Sequence, residues 1–261
     1  TPVAKLEPVF VSGVTVRNAT LHNQDEIDRK DIRIGDTVLI ERAGDVIPKI
    51  VKVVHDKRPN RSPRFSMPRH CPVCKHDTYN SPEEAIWRCH NISCTKQIKG
   101  RIQHFASKMA LDIDGLGEKI IDLLVDKKYL LSISDIYLLD QNKLKALEGF
   151  GEKSAKKLIS AIHRSKTISF SKFVYGLGIR NVGEYISKLL EKHFLGDLEK
   201  LMNSTEQELE SIEGVGPIAA REITMFFSID LNKTIIKECF SRGLAIKDYA
   251  FIKNEFLSDK T

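Results

Sequence analysis

A short glycine turn recurs four times in the second half of this 261-residue chain, at nearly constant spacing. The intervals between the last glycines of successive turns are 34, 32 and 33 residues. An acidic residue or a proline follows each turn, and a leucine or isoleucine stands seven positions after its last glycine. The turns are Gly115-Leu116-Gly117, Gly149-Phe150-Gly151, Asn181-Val182-Gly183 and Gly214-Val215-Gly216. Because acids and prolines favour the first helical position, the pattern predicts four helices that each begin directly after a turn.

A glycine turn at a helix start favours the binding of phosphate. The first amides of the helix have no partner within it, and they lie at the positive end of the helix dipole. Asn181 replaces glycine in the third turn, where asparagine tolerates the left-handed backbone better than most residues. Four such turns predict a surface that holds a polyphosphate backbone without reading its bases. The alternative is a helical solenoid such as a tetratricopeptide array, but the Trp/Leu-Gly/Tyr signature of those repeats is missing.

Charge is distributed unevenly along the chain. Residues 1–110 contain 19 Lys and Arg against 12 Asp and Glu, whereas residues 111–261 contain 22 against 23. Seven basic residues and one acid lie between Lys49 and Arg69, which fits a polyanion partner or, equally, a solvated linker. The overall composition, 41% hydrophobic and 29% charged, is that of a globular protein of two or three domains. No apolar run is as long as a membrane span and no signal peptide begins the chain, so we expect a cytoplasmic protein with no membrane partner.

The first sixty residues predict a small β-barrel. Short apolar or alternating runs occur around Val9, Val38 and Ile50, and turns are predicted at Gly35-Asp36 and Gly44-Asp45. Among small barrels the OB-fold is the one most used for nucleic acid, but the pattern alone leaves an SH3-like barrel open. The polar run over residues 23–31 fits a short helix or a loop. Residues 57–70 contain three prolines and predict a linker or an extended arm.

Four of the five cysteines lie within 24 residues, in the pattern C-x2-C-x14-C-x4-C. They are Cys71, Cys74, Cys89 and Cys94. Two close pairs separated by a stretch able to form a hairpin predict a tetrahedral Zn²⁺ site, which is structural because four thiolates leave no position open. Iron and two disulfides are the alternatives, and a cytosolic setting favours zinc. His70, His76 and His90 are expected to be surface groups, and Cys239 a packed small hydrophobe.

A small barrel, a four-cysteine module and four helix–hairpin–helix units, in this order, resemble the C-terminal half of the bacterial NAD-dependent DNA ligases. The segments that carry the resemblance are Val14–Asn23, Asp31–Val38, Arg42–Pro48, Asp114–Gly117 and Gly178–Gly183. The resemblance covers essentially the whole chain and implies a multi-domain α+β fold. It places an OB-fold barrel at residues 1–66, a zinc finger at 67–96 and an all-α helix–hairpin–helix domain at 97–261.

The resemblance implies an enzyme that joins a 5′-phosphate to a 3′-hydroxyl at a nick in duplex DNA during replication and repair. NAD and Mg²⁺ or Mn²⁺ would bind mainly outside this segment, on an N-terminal nucleotidyltransferase domain with a Lys-x-Asp-Gly motif. No such motif occurs here, so we assign no catalytic residue and expect the segment alone to be inactive. The resemblance also implies a monomer in the bacterial cytoplasm, at the nucleoid, with nicked duplex and the nucleotidyltransferase domain as partners. The alternative is a free-standing, non-catalytic DNA-binding or scaffold protein.

Candidate DNA-binding residues come from the barrel and from the turns. Arg17 is expected to reach a DNA phosphate or the active site, against the alternative of an ordinary surface arginine. His22 either contacts DNA or, with Asn23, closes a turn by local hydrogen bonds, and Lys49 extends the basic face. The helical half contributes Gly115, Gly117, Lys119, Gly149, Gly151, Lys153, Arg180, Gly183, Gly214, Gly216 and Arg221. Phe150 and Tyr185 are expected to belong to the core rather than to stack on bases.

Overall fold

The computed structural model describes residues 1–11, 13–43, 47–80 and 86–249. The chain divides into two compact units, Thr1–Cys94 and Thr95–Thr261. The first unit contains a β-sheet and the cysteine module, and the second is helical. The turn predicted at Gly44-Asp45 and the polar tail after Tyr249 lie outside the described residues. The division into two units falls after Cys94 and does not locate the predicted domain boundaries at residues 66 and 96, so these boundaries stay predictions.

Four strands of the first unit form one mixed sheet in the order β1-β2-β4-β3. They are β1 (Val3–Val11), β2 (Val14–Thr20), β3 (Val38–Ala43) and β4 (Ile47–Val53). β1 and β2 are antiparallel, as are β3 and β4, and β2 runs parallel to β4 where Thr20 lies opposite Lys49. Gly13, at φ +83°, makes the turn between β1 and β2, a left-handed conformation that glycine adopts without steric penalty. The strands therefore occur where the apolar runs predicted them.

A six-residue helix, α1 (Gln24–Arg29), follows β2. Asn23 begins it, because its side-chain oxygen accepts a hydrogen bond from the Glu26 amide at 2.9 Å, as an N-cap residue does. Ile27 of this helix packs in a small core with three residues of the sheet and its connections, Ala19, Leu21 and Ile50. Of the two interpretations of the polar run over residues 23–31, the short helix is correct.

Arg58, which belongs to the predicted basic linker, is bound to two carboxylates of the barrel. Its Nε lies 2.8 Å from Asp36 Oδ1 and its Nη1 lies 2.6 Å from Asp31 Oδ2. The hydrogen bonds from Arg58 and Arg33 hold the pKa of Asp31 at about 2. Burial of Asp36 opposes its ionisation, but hydrogen bonds from the Arg58 side chain and the Arg33 amide still lower its pKa. Arg58 therefore ties the start of the linker to the connection between α1 and β3.

Replacing Arg58 with Ala should loosen the barrel at neutral pH, since it leaves the carboxylate of Asp36, which is only 1% exposed, without its guanidinium partner. Both aspartates have a folded-state pKa below the unfolded value, so their contribution to stability is present above pH 4. It is lost as the pH falls from about 4 to about 2. Amide hydrogen exchange of β1–β4 should therefore be faster in the variant at pH 7, and the difference from wild type should shrink in acid. Equal exchange at pH 7 would contradict this assignment.

The second unit is built from ten helices among its described residues, with one contiguous hydrophobic core. The helices are α2 (Thr95–Ala106), α3 (Glu118–Asp126), α4 (Gln141–Lys145), α5 (Glu152–Ser165), α6 (Phe170–Gly176), α7 (Glu184–Phe194), α8 (Leu198–Met202), α9 (Glu206–Glu210), α10 (Pro217–Ser228) and α11 (Asp230–Ser241). A 3-10 helix spans Ile133–Leu138, and two short parallel strands pair Thr167–Ile168, after α5, with Ala245–Ile246, after α11. None of the described helices is long and apolar enough to cross a bilayer.

The four helices that follow the glycine turns are α3, α5, α7 and α10, as the repeat predicted. The apolar residue seven positions after each turn is at most 1% exposed in every copy. These residues are Leu124, Leu158, Leu190 and Ile223. The repeat is therefore a packing repeat as well as a turn repeat, because the same position of each helix faces the core. Cys239, on α11, is also fully buried, as expected of a packed small hydrophobe.

Candidate metal centre and anion-binding turns

The four clustered cysteines come together at one point of the first unit. Their Sγ atoms all lie within 4.8 Å of one another. A regular tetrahedron of metal–sulfur bonds of about 2.3 Å has sulfur–sulfur edges of about 3.8 Å. The thiols are free, with Cys71 and Cys94 buried and the other two half-buried. The cluster therefore has the size and the donor set of a four-thiolate zinc site, and none of its four cysteines forms a disulfide in this structure.

Local structure explains how the two cysteine pairs meet. After Cys71, the chain makes a tight turn in which the Lys75 amide donates to the Cys71 carbonyl at 2.9 Å and Lys75 takes φ +62°. The strands β5 (Thr78–Tyr79) and β6 (Arg88–Cys89) are antiparallel and bring Cys89 opposite Thr78. The three neighbouring histidines are exposed and lie outside the sulfur cluster, as the sequence predicted. They are His70, His76 and His90.

The thiols of the cluster ionise unequally. Burial opposes the ionisation of Cys74, but hydrogen bonds from the His76 amide and from Asn91 lower its pKa to about 6. Burial raises the pKa of Cys89 to about 12, and its sulfur lies only 3.5 Å from that of Cys74. Two thiolates this close repel each other, so the pair keeps a proton unless a cation offsets the charge. A divalent cation would let all four sulfurs bind as thiolates.

The glycine turns adopt one conformation four times. The first residue of each turn has a positive φ, which is +92° at Gly115, +85° at Gly149, +57° at Asn181 and +94° at Gly214. The last glycine is extended and begins the helix as its N-cap residue. Asn181 therefore supplies the left-handed residue of the third turn, as its residue type predicted.

The four N-cap glycines have no internal reason to be glycine. Their φ values lie between −82° and −92°, a range open to any residue. A Cβ atom added at any of them would find no atom within 4 Å. Serine, asparagine or aspartate would cap these helices better, yet the N-cap residue itself supplies no capping side chain in any of the four. At Gly151 the Ser154 hydroxyl accepts from the N-cap amide at 3.0 Å. The four residues are Gly117, Gly151, Gly183 and Gly216. Each thus leaves a helix start open for an outside group to approach the backbone.

The four helices and the glycine turns before them form two pairs, which we call tandems. The first tandem contains α3 and α5, and the second contains α7 and α10. In the first tandem, a Cβ atom at Gly115 would lie 3.8 Å from the Cβ of Leu158 on α5. In the second, a Cβ atom at Gly214 would lie 2.7 Å from Leu189 Cδ1 and 3.1 Å from the Tyr185 hydroxyl on α7. Within each tandem, therefore, one turn packs closely against the helix of the other hairpin.

An ion pair occupies the same two positions in both tandems, with its charges exchanged. Asp114 binds Lys157 at 2.7 Å in the first tandem, and Arg180 lies 3.6 Å from Glu222 in the second. In each tandem, one member of the pair stands three residues before the N-cap glycine of the first helix. The other member stands six residues after the N-cap glycine of the second helix. The two tandems are therefore structural repeats of each other, joined by equivalent contacts.

The predicted cations differ in their surroundings. Lys119 and Lys153 are exposed at the second position of α3 and α5. Arg180 is half-buried in its ion pair, and Arg221 is exposed on α10. Lys49 pairs with Glu41 on the neighbouring strand at 2.7 Å, so it contributes less positive charge than its sequence position indicated.

Two candidates of the barrel lie on its surface. Arg17 is exposed on β2, and His22 is exposed at φ +59° in the turn before α1. The His22 amide donates to the Thr20 hydroxyl at 3.2 Å, and Asn23 caps α1. Local hydrogen bonds thus close this turn, whereas a DNA role for either exposed side chain stays a prediction, as it does for all the candidates of the turns.

The placement of Tyr185 in the core was wrong. Its side chain is 67% exposed at the second position of α7, whereas Phe150 is partly buried against the core as expected. Ile218 stands at the equivalent position of α10, is 64% exposed and was missed by the sequence analysis. Counting positions from each N-cap glycine could have identified both, because the lysines at this position in the first tandem also face solvent.

Known families match the chain in the order of these elements. Residues 1–62 match the NAD-dependent DNA ligase OB-fold domain, and residues 70–95 match the NAD-dependent DNA ligase C4 zinc finger domain. Residues 107–164 match a SAM-like helix-hairpin-helix tandem, and residues 172–236 match a helix-hairpin-helix motif. The OB-fold is thereby confirmed over the SH3-like barrel, and the repeat is a helix-hairpin-helix array rather than a solenoid.

Two curated relatives are DNA ligases of bacteria. The chain is 49% identical over 246 residues to the DNA ligase of Methylococcus capsulatus and 46% identical over 244 residues to that of Syntrophobacter fumaroxidans. Each alignment covers 94% of this chain and 36% of the relative. The chain therefore spans about a third of the length of these proteins.

An OB-fold, a four-cysteine zinc finger and tandem helix-hairpin-helix units together define the class of modular DNA ligases. Over the part that it spans, the chain belongs to the NAD-dependent DNA ligase family, as its sequence resemblance implied. Its cofactor within the described residues is structural zinc, held by the four cysteines of the finger.

Proposed function

We propose that this chain is the DNA-gripping part of an NAD-dependent ligase that seals nicks in duplex DNA, by joining a 5′-phosphate to a 3′-hydroxyl. The observation that carries the proposal is the set of four N-cap glycines with empty space where a Cβ would be. A helix start binds phosphate through its free amides and its dipole. Glycine lets a phosphate oxygen approach these amides closely.

The tandem arrangement supports a duplex rather than a single phosphate as the ligand. Two hairpins packed side by side present two helix starts, which suit the two phosphate strands on either side of a minor groove. The two tandems therefore provide two such duplex-binding surfaces. Because amides and lysines at a helix start contact only the sugar-phosphate backbone of DNA, the binding is independent of base sequence.

Two of the three acidic residues at the helix starts are paired with lysines. Glu152 is bound to Lys145 at 2.7 Å, and Glu184 is bound to Lys188 at 2.7 Å. These lysines offset the two carboxylates near the amides. Lys119 and Lys153 add positive charge beside the first and second helix starts, where a phosphate would lie.

In this proposal the catalytic steps take place on another part of the enzyme. The chain has no Lys-x-Asp-Gly motif, so in this proposal NAD and Mg²⁺ or Mn²⁺ act on a nucleotidyltransferase domain outside it. Arg17, His22 and Lys49 would extend the grip over the barrel, near the nick. The whole protein would work as a monomer in the bacterial cytoplasm, on nucleoid DNA.

Duplex binding by this chain should depend steeply on salt. If the grip neutralises four or five phosphates, log K should fall against log salt concentration with a slope of about −4. Fluorescence anisotropy on nicked and intact duplexes of two unrelated sequences tests this directly, and we expect similar affinities for both sequences. An affinity that did not change with salt would contradict the proposal.

The stand-alone scaffold is the second candidate, and one experiment separates it from the ligase. The chain is mixed with a nucleotidyltransferase domain of an NAD-dependent ligase, NAD and nicked duplex. Sealing of the nick above the level of that domain alone favours the ligase, whereas duplex binding without any gain in sealing favours the scaffold.

A further inference from the structure

The two tandems present different chemistry beside their helix starts. At the second helical position the first tandem carries Lys119 and Lys153, whereas the second carries Tyr185 and Ile218. The first turns of α7 and α10 contain no lysine or arginine at all. Pro217 also removes one amide donor from the start of α10. At the second helical position, therefore, the second tandem presents apolar side chains where the first presents positive charge.

Tyr185 and Ile218 lie beside the helix starts of the same tandem. Each stands two residues after an N-cap glycine, Gly183 or Gly216, whose Cβ position is empty. The hydroxyl and Cε1 of Tyr185 also border the turn at Gly214, where an added Cβ would lie 3.1 and 3.2 Å from them. The ring therefore reaches from the third hairpin to the turn of the fourth, two residues before the N-cap glycine of that turn.

Tyr185 and Ile218 are exposed by 67% and 64% at equivalent positions of one tandem, so both side chains are accessible to a group bound at the glycine openings. A group that binds phosphate at both glycine openings would bring its sugars against these side chains. In a DNA minor groove the walls between the phosphates are deoxyribose C–H groups, which are apolar. In an RNA strand the same walls carry 2′-hydroxyls.

We propose that Tyr185 and Ile218 are specificity-determining residues, through which the second tandem packs against deoxyribose and discriminates DNA from RNA. This inference rests on the proposed function. An apolar contact that fits deoxyribose buries a 2′-hydroxyl without a hydrogen-bond partner, and such burial is unfavourable. The lysines of the first tandem bind phosphate, which DNA and RNA share, so they give affinity without this discrimination.

The test compares two duplexes of one sequence, DNA–DNA and RNA–DNA, by fluorescence anisotropy at fixed salt. We expect the wild-type chain to bind the DNA duplex about tenfold more tightly than the hybrid, which is the loss typical of one unpaired buried hydroxyl. The double variant Tyr185→Ser/Ile218→Ser should reduce this preference to about twofold or less, with no change in the salt slope. Both side chains are exposed, so circular dichroism should show unchanged helicity.

The matched control is the double variant Lys119→Ser/Lys153→Ser at the same positions of the first tandem. It should weaken binding to both duplexes alike, keep the preference for DNA and make the salt slope shallower by about 2. An unchanged preference in the Tyr185/Ile218 variant, or equal wild-type affinity for the two duplexes, would overturn the inference. Substitution of the N-cap glycines tests the underlying grip separately: if those variants lose binding while the Tyr185/Ile218 variant keeps its preference, only the inference fails.

Discussion

The double variant Gly151→Ser/Gly216→Ser should bind duplex DNA about a hundredfold more weakly than wild type. Serine places a Cβ and a hydroxyl in the space that the phosphate would use, and the hydroxyl itself accepts from the amides of the first helical turn. Hydrogen bonds to a charged group contribute about 1.5–3 kcal/mol each, so the loss of one helix start should weaken binding at least about tenfold. Two helix starts in different tandems are expected to act additively.

The same substitutions should not damage the fold. Both glycines have φ values, −92° and −85°, that serine adopts readily, and neither position has an atom within 4 Å of an added Cβ. Serine is a better N-cap residue than glycine by a few tenths of a kcal/mol. Stability and affinity should therefore change in opposite directions, a combination that a simple folding defect cannot produce. Anisotropy gives the affinity, and thermal unfolding followed by circular dichroism gives the stability.

Gly100 supplies a matched control. It lies on α2, is exposed, and also has no atom within 4 Å of an added Cβ, but it does not begin a helix. Gly100→Ser should leave the affinity for duplex unchanged. Unaltered binding by the Gly151/Gly216 variant would show that the open helix starts do not hold DNA.

The sequence was sufficient to predict the features that depend on local backbone chemistry. The repeat located the four turn-and-helix units because glycine, asparagine and first-turn acids have strong positional preferences. The spacing of Cys71, Cys74, Cys89 and Cys94 located the metal cluster because four thiols on two short loops converge in few ways. In both cases the prediction needed only residues close together in sequence.

Contacts between distant residues could not be predicted in this way. The charge pattern places Arg58 in a solvated or polyanion-binding stripe, yet its guanidinium binds Asp31 and Asp36, more than twenty residues earlier in the chain. The same pattern predicts Lys49 as part of a basic face, yet β3 brings Glu41 beside it. Whether a basic residue faces a carboxylate or solvent depends on strand pairing, which a charge pattern does not contain.

The misplacement of Tyr185 has a related physical cause. Aromatic residues are usually buried, and the amphipathic pattern of α7 gave no reason to treat this one differently. The turn of the fourth hairpin determines its position, because the glycine at 214 leaves room for the ring beside it. The position within the repeat is the better guide to exposure, because Tyr185 and Ile218 each stand two residues after an N-cap glycine, where the lysines of the first tandem are also exposed.

Removal of the zinc should unfold the finger while the helices of the second unit stay folded. The described strands of the finger, β5 and β6, have two residues each, far too little structure to be stable alone. Binding of structural zinc contributes about 10–16 kcal/mol in small fingers at neutral pH. Chelation, or the substitution Cys71→Ser, should therefore release about one zinc per chain and disorder the module.

The only tryptophan of the chain makes this change easy to measure. Trp87 is half-buried two residues before Cys89, so its emission should shift to the red when the finger unfolds, while helical circular dichroism should stay nearly constant. Zinc retention should also fall in mild acid, because protons compete for the thiolates. Cys239→Ala is the matched control: this buried cysteine of α11 lies outside the sulfur cluster, so the variant should keep its zinc and its Trp87 emission. Freshly purified wild-type protein without zinc, or a finger whose tryptophan emission survives chelation, would contradict a metal-dependent fold.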